Sequence, residues 1–258
     1  MEYKNIKVNS KEHVGILTLN RPDSLNVFTT PLANELNYAL KELDKDENIR
    51  VVVINAEGKG FSAGIDVNEL KDKTFEEYYD TTTLMEEMNL TITSMKKPVI
   101  ASVHGFAVAN GIGLVALCDL AIAEEGTKFG ATAINVGLSC IGPSVAISKS
   151  LGRKKTLELL LTGEIIDAKE AERIGLINRV VAKGQLQEET MKMANELASK
   201  SPLALQITKR AFYKAADLEI SKAIEIANYA FSEICMLDDA KEGISAFLNK
   251  RKPDWKLK

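Results

Sequence analysis

The stretch Gly58-Lys59-Gly60-Phe61-Ser62-Ala63-Gly64-Ile65-Asp66 constrains this chain more than any other. Before it runs Val51-Val52-Val53-Ile54-Asn55-Ala56, a continuous apolar run rich in β-branched residues, as a buried strand requires. After it comes Val67-Asn68-Glu69-Leu70, where a helix can begin. Three glycines therefore sit at a strand-to-helix turn, where backbone N–H groups can point outward without partners. Such a turn suits a negatively charged oxygen, and it also serves as a plain βα connection. It is not a phosphate loop, because the Lys-Ser/Thr pair is missing, and its glycine spacing does not fit the dinucleotide fingerprint.

The same arrangement recurs. Pro98-Val99-Ile100-Ala101-Ser102-Val103 is a strand, followed by a second glycine turn, His104-Gly105-Phe106-Ala107-Val108-Ala109-Asn110-Gly111-Ile112-Gly113. A short apolar helix then runs to Cys118, and Asp119-Leu120-Ala121-Ile122-Ala123 is another strand. Two such turns can bring two sets of free N–H groups to one point, the geometry that stabilises a developing oxyanion.

Elsewhere, Ile6 and Val8, then Val14, Ile16 and Thr18, predict a hairpin turning at Asn9-Ser10-Lys11. Thr30 reads as the N-cap of a helix with Pro31 at its first position and Leu32, Leu36, Leu40 and Leu43 on its apolar face. Strand, helix and strand in this order imply a parallel pair. Residues 71–83 are polar and read as the exposed start of a helix rather than a lid; Leu84, Met88, Ile92 and Met95 then share a face, and Lys96-Lys97-Pro98 ends it with cations at the negative pole of that helix. Helices are expected from Gly142-Pro143 to Leu151, from Arg153 to Leu161, and after a capping box at Asp167–Glu170. Leu176–Val181 reads as a strand, and from Gln185 to Lys250 only helices are expected, with breaks at Ser201-Pro202 and near Leu237-Asp238-Asp239.

A chain of 258 residues buries roughly three quarters of its unfolded surface and needs no covalent staples. Its net charge of −3 argues against a nucleic-acid surface. Cys118, Cys140 and Cys235 are too few and too scattered for a disulfide framework and fit a reducing compartment. The N-terminus lacks an apolar signal core and no apolar run reaches the ~20 residues of a membrane span. These features give a cytoplasmic reading. His13 and His104 are far apart, without the ligands of a zinc site, and structural roles are expected for both.

Taken together, these residues resemble the crotonase superfamily of enoyl-CoA hydratases and isomerases. The resemblance rests on Leu19-Asn20-Arg21-Pro22 with Leu25-Asn26, on Gly60–Asp66, on Lys97–Ala101, on His104–Ala107 with Gly111, and on Cys118–Ala123. It continues through Phe129-Gly130, Leu161-Thr162-Gly163, Asp167–Val181 and Glu242–Arg251, nearly the whole chain. It implies an α/β fold, a spiral of ββα units over residues 1–200, with a helical trimerisation module over 201–258. It also implies trimers, often paired into hexamers, an acyl-CoA thioester as substrate, and no metal or redox cofactor.

By position, the resemblance makes the backbone N–H groups of Ile65 and Asn110 the oxyanion donors, or Gly111 if the register shifts by one. It lays Ala63, Asp66, Val67 and Asn68 along the nucleotide and pantetheine path and Ser24, Leu25 and Val27 beside the adenine. Phe247 and Lys250 approach the CoA, commonly that of a neighbouring subunit; Lys250 also reads as a solvated tail charge. The two glutamates of the hydratases fall on Gly113 and Ala133, which cannot transfer protons, and the aspartate of some dienoyl isomerases falls near Ile141. Asn135, Ser139 and Cys140 follow beside the acyl group, with Cys140 expected to be an inert buried thiol. Asp66 and Asp119 are expected to be structural. Glu69, Glu76, Glu77, Tyr78, Tyr79, Glu86 and Glu87 lie on the segment that walls the acyl pocket, and the sequence does not choose among them. The expected function is a hydratase or isomerase relative with relocated acid/base groups; the alternatives are a decarboxylase or thioesterase on the same fold, or a non-catalytic CoA-thioester binder.

Overall fold

The structure, a computed structural model, describes residues 2–255. The chain opens with β1 (Ile6–Lys11) and β2 (Val14–Leu19), then α1 (Thr30–Lys45) and β3 (Val51–Ala56). Next come α2 (Phe75–Ser94), β4 (Val99–Val103), β5 (Phe106–Val108), α3 (Asn110–Leu117), β6 (Leu120–Glu124) and β7 (Lys128–Gly130). They are followed by α4 (Ile141–Thr162), β8 (Ile165–Asp167), α5 (Ala168–Arg173) and β9 (Arg179–Val181), and the chain closes with α6 (Leu186–Ala198), α7 (Pro202–Ala215), α8 (Ile220–Met236) and α9 (Asp238–Leu248).

The strands form two sheets. The larger has the order β1-β2-β3-β4-β6-β9, and the smaller β5-β7-β8. β2, β3, β4, β6 and β9 run parallel, with β1 antiparallel at the edge. The apolar run of β3 is continuous because both its faces are covered. Val52 and Ile54 belong to the main core with α1 and α2 residues such as Leu36 and Met88, whereas Val51 and Val53 pack with Ala194 and Ala198 of α6. The chain thus alternates between layers: a strand in the large sheet, a strand or bridge in the small one, then a helix. This is the α/β architecture that the resemblance implies.

Several expectations shift in detail. The hairpin turn lies at Glu12-His13, not 9–11, because the pairing extends to Lys11 opposite Val14 and Glu12 takes a φ of +53°. The N-cap of α1 is Thr29, one residue earlier than expected, whose Oγ1 accepts from Leu32 N at 3.4 Å. Val67–Leu70 forms only a short 3-10 turn. A true helix waits for the capping box of Thr74 and Glu77, so residues 71–73 are loop and the helical reading of that stretch holds from Phe75 onward. β5, β7 and β8, three residues each, had no counterpart in the sequence reading.

Lys97 corrects the expected capping of α2. Its buried Nζ donates to Leu43 O at 2.6 Å and to Asp46 O, closing the C-terminus of α1 instead. The expected break between two helices over 142–161 is the non-helical Gly152, φ +71°. The C-terminal part is helical as read, opening at Ser201, whose Oγ accepts from Ala204 N at 3.2 Å.

Candidate active site

The two glycine turns run side by side. Phe61 N donates to Phe106 O at 2.8 Å and Val108 N to Ser62 O at 3.0 Å, and Ser62 and Ala107 form a parallel bridge. His104 Nε2 lies 3.0 Å from Gly58 O, tying the start of one turn to the other. Two close approaches admit only glycine. A Cβ on Gly105 (φ +64°) would overlap the carbonyl of Lys59, and one on Gly64 (φ +100°) would lie 2.6 Å from Ala109 Cβ and 3.5 Å from Asn110 N.

These contacts place the two expected donors next to each other. Phe28 N donates to Gly64 O at 2.7 Å and Asp66 N donates to Phe28 O at 2.8 Å. Ile65 lies between them in a parallel bridge, so its N–H is left out of this ladder and points away from Phe28. Asn110 is the first residue of α3, and its N–H precedes the helical hydrogen bonds. The residue before it, Ala109, has φ +49° and ψ −117°, a conformation that costs an L-residue about 1–3 kcal/mol. Ala109 N donates to Gly130 O at 2.9 Å, which holds it there. Gly111 is buried against Ser62.

Asn26 and Ser62, quoted in the sequence only as parts of motifs, are the joints of the first turn. Asn26 is fully buried at φ +53°. Its Oδ1 accepts from Arg21 N at 2.8 Å, and its Nδ2 donates to Glu57 O at 2.8 Å and Gly60 O at 3.0 Å. Ser62 Oγ donates to Asn26 O at 2.8 Å and accepts from Gly64 N at 3.2 Å. Ala63 N donates to Leu25 O at 3.0 Å, so the segment bearing Ser24, Leu25 and Val27 is stitched to the one bearing Ala63, Asp66, Val67 and Asn68. Leu25, Val67 and Asn68 are exposed; Asp66 caps the 3-10 turn through Asn68 N at 3.0 Å, the structural role expected of it. Phe247 and Lys250 stand apart in the C-terminal part: Phe247 is on α9, which packs on α7 and α8, Lys250 lies just beyond its end, and both are exposed.

The acyl-pocket candidates divide. Asn135 and Ser139 are exposed, whereas Gly113 and Cys140 are buried and Ala133 is half-buried. A Cβ on Gly113 would lie 2.8 Å from Pro143 Cβ, so Pro143 fills the room a side chain at 113 would need. Burial pushes the Cys140 thiol up, the opposite of an activated thiolate.

The seven acidic and tyrosyl candidates now separate. Glu69 accepts from Thr30 Oγ1 at 2.9 Å; Glu77 accepts from Thr74 N at 2.7 Å; Tyr78 OH donates to Leu70 O at 2.8 Å; Glu87 pairs with Lys41 at 2.8 Å. Glu76 and Tyr79 are exposed. Glu86 alone of the seven turns towards the 140–143 segment. Its carboxylate lies so close to Gly142 that a Cβ there would overlap it, and burial raises its carboxyl above the usual range.

Asp119 is structural, as expected. It accepts from Val99 N at 2.7 Å, Lys209 Nζ at 2.6 Å and Tyr213 OH at 2.8 Å, joining α7 to the sheet. His13 Nδ1, 2.9 Å from Asn48 O, is likewise structural.

Comparison with known proteins agrees with this fold. The profile of the enoyl-CoA hydratase/isomerase family matches residues 9–258. A probable enoyl-CoA hydratase of Rhizobium meliloti is 36% identical over 257 residues, covering 99% of each chain. The mouse mitochondrial enoyl-CoA hydratase domain-containing protein 3 is 37% identical over 240 residues, 93% of this chain and 80% of that one. Among solved structures, an enoyl-CoA hydratase of Mycobacterium smegmatis superposes with a TM-score of 0.95 at 38% identity, covering 98% of this chain and 99% of that chain. The chain belongs to the enoyl-CoA hydratase/isomerase family.

Proposed function

We propose that this protein is an acyl-CoA enzyme of the hydratase/isomerase type whose thioester oxygen is held by the N–H groups of Ile65 and Asn110. The observation that carries this reading is the contact of Gly64 with Ala109, which brings the two donors side by side. Such donors strengthen as the carbonyl becomes an enolate; removing one from a comparable site costs about 3 kcal/mol. Neither donor is a side chain, so Ile and Asn serve as well as any residue. The only cofactor-like group is the CoA of the substrate. Ala63, Asp66, Val67 and Asn68, with Ser24, Leu25 and Val27 bonded beside them, form the wall along which the CoA lies. Gly113 and Ala133 leave the hydratase pair of glutamates unfilled, so the acid/base work falls to another group.

Self-association completes the reading. The C-terminal helices leave Phe231, Met236 and Phe247 68%, 77% and 82% exposed, apolar surface that a neighbouring subunit would cover. Their exposure supports the reading in which Phe247 and Lys250 reach the CoA of that neighbour. Sedimentation as a trimer or hexamer is expected; a monomer at micromolar concentration overturns this part. The three free cysteines accord with a cytoplasmic location, whereas several relatives carry mitochondrial names.

The test is incubation with crotonyl-, dienoyl-, malonyl-type and aromatic acyl-CoA in heavy water, read by mass spectrometry. Gain of water or of deuterium supports the hydratase/isomerase reading. Loss of CO₂ or release of CoA instead identifies a decarboxylase or thioesterase, and binding without change identifies a binder. Failure to bind any acyl-CoA at millimolar concentration overturns the proposal.

A further inference from the structure

We propose that Glu86, on α2, is the proton-transfer residue of this site and takes the place of the carboxylates that Gly113 and Ala133 cannot supply. The inference rests on the acyl-CoA reading above. Its basis is convergence. Asn110 and Gly113 are three residues apart on α3 and share a face. Gly113 abuts Pro143, the next residue along is Gly142, and Gly142 lies against the Glu86 carboxylate. From the other side, the Ala133 backbone approaches the Cys140 thiol, and Cys140 in turn feels the Glu86 charge. Both unfilled glutamate positions therefore lead to the 140–143 segment, and Glu86 is the member of the acyl-wall acids that reaches it.

Its immediate partner suits a group that changes protonation. Asn89 Nδ2 donates to Glu86 Oε2, while Asn89 Oδ1 is buried without a hydrogen-bond partner. An amide in this position serves both states: its NH₂ donates to the carboxylate, and after a flip its oxygen accepts from the acid. The empty acceptor also fits a water or hydroxyl at the acyl group. Burial raises the Glu86 carboxyl above the usual glutamate range and the bond from Asn89 opposes this, the direction that suits a carboxylate that must take up and return a proton.

The step is a balanced proton shuttle. The Glu86 carboxylate takes a proton from the carbon next to the thioester; the C–H electron pair moves into the enolate, whose oxygen is held by Ile65 and Asn110. The Glu86 acid, whose proton can exchange with water in the meantime, then returns a proton to that carbon or, when a double bond lies one position further out, to the far end of the dienolate. Nothing is consumed, and one carboxylate suffices.

The test follows deuterium uptake at the α-carbon of a saturated acyl-CoA and double-bond migration in a 3-enoyl-CoA, by NMR and mass spectrometry. For Glu86→Gln both rates fall about 100-fold or more, while the Kd for acyl-CoA stays within about threefold and the circular dichroism spectrum is unchanged. Gly142→Ala, whose methyl displaces the carboxylate without removing it, lowers kcat with KM unchanged, and Glu86→Asp keeps part of the rate. Wild-type rates in Glu86→Gln overturn the assignment and leave the acyl-CoA reading standing; tight acyl-CoA binding by the native protein without exchange overturns the assignment and leaves only a thioester binder. Absence of any acyl-CoA binding overturns both.

Discussion

In the first glycine turn the backbone at Ile65 is set largely from outside, by Phe28 and by Asn26, with Ser62 of the turn itself linking Asn26 to Gly64. In the second, the N–H of Asn110 is set from within, by the helix it begins and by the strained Ala109 before it. The difference follows from what each turn has next to it. The second sits between β5 and α3, two regular elements whose own hydrogen bonds fix the backbone. The first has only isolated bridges at Ser62 and Ile65 and a 3-10 turn at Val67–Leu70, so buried Asn26 from a distant loop, together with Ser62, supplies the missing bonds. Two similar sequences thus orient similar donors, one by side-chain hydrogen bonds and one by backbone strain.

That contrast can be broken at four places. Asp119→Ala has the largest expected effect. It removes the anchor of the second unit on α7 and leaves Lys209, 6% exposed at its side chain, as an unpaired buried cation; a loss of about 3–5 kcal/mol is expected by urea denaturation. Gly105→Ala strikes the joint shared by both turns. Left-handed strain of about 1–2 kcal/mol adds to an overlap with Lys59 O costing about 1–3 kcal/mol, so activity should vanish with a stability loss of about 3 kcal/mol.

Asn26→Ala separates the turns. It leaves the Glu57 and Gly60 carbonyls and the Arg21 N–H without their partner, for a loss of about 2 kcal/mol. Hydrogen exchange should speed up in 58–64 and not in 106–113; equal exposure of both would dissolve the distinction. Ala109→Gly, the smallest change, relieves the strain of the second turn. Relief slightly exceeds the added freedom of the unfolded glycine, so the melting temperature should rise by the equivalent of about 1 kcal/mol or less. Acyl-CoA turnover should fall, because Asn110 N–H is held less firmly; unchanged turnover would deny the strain any role.

Much of this molecule was legible in its residues, for reasons of length and period. Four leucines of α1 at helical spacing are all buried, and the β-branched run of β3 marks a strand covered on both faces. β5, β7 and β8 escaped because three residues are too few to show a period. Lys97 sits where a cation caps the helix beside it, but its Nζ reaches carbonyls more than fifty positions back in the chain. Asn26 carried no signal of its own: its role consists of three bonds to backbone brought there by folding.

By itself the sequence determined the family, the layered α/β order and the two glycine turns, since these depend on local backbone freedom and on the period of apolar residues. That Gly113 and Ala133 carry no carboxylate is visible without coordinates too. Only the tertiary structure decided which of seven nearby acidic and tyrosyl side chains turns inward. Glu86 and Glu87 are adjacent on one helix, yet one pairs with Lys41 at the surface and the other lies against Gly142. A helix turns about 100° per residue, so neighbours in sequence face different surroundings, and those surroundings come from segments distant in the chain.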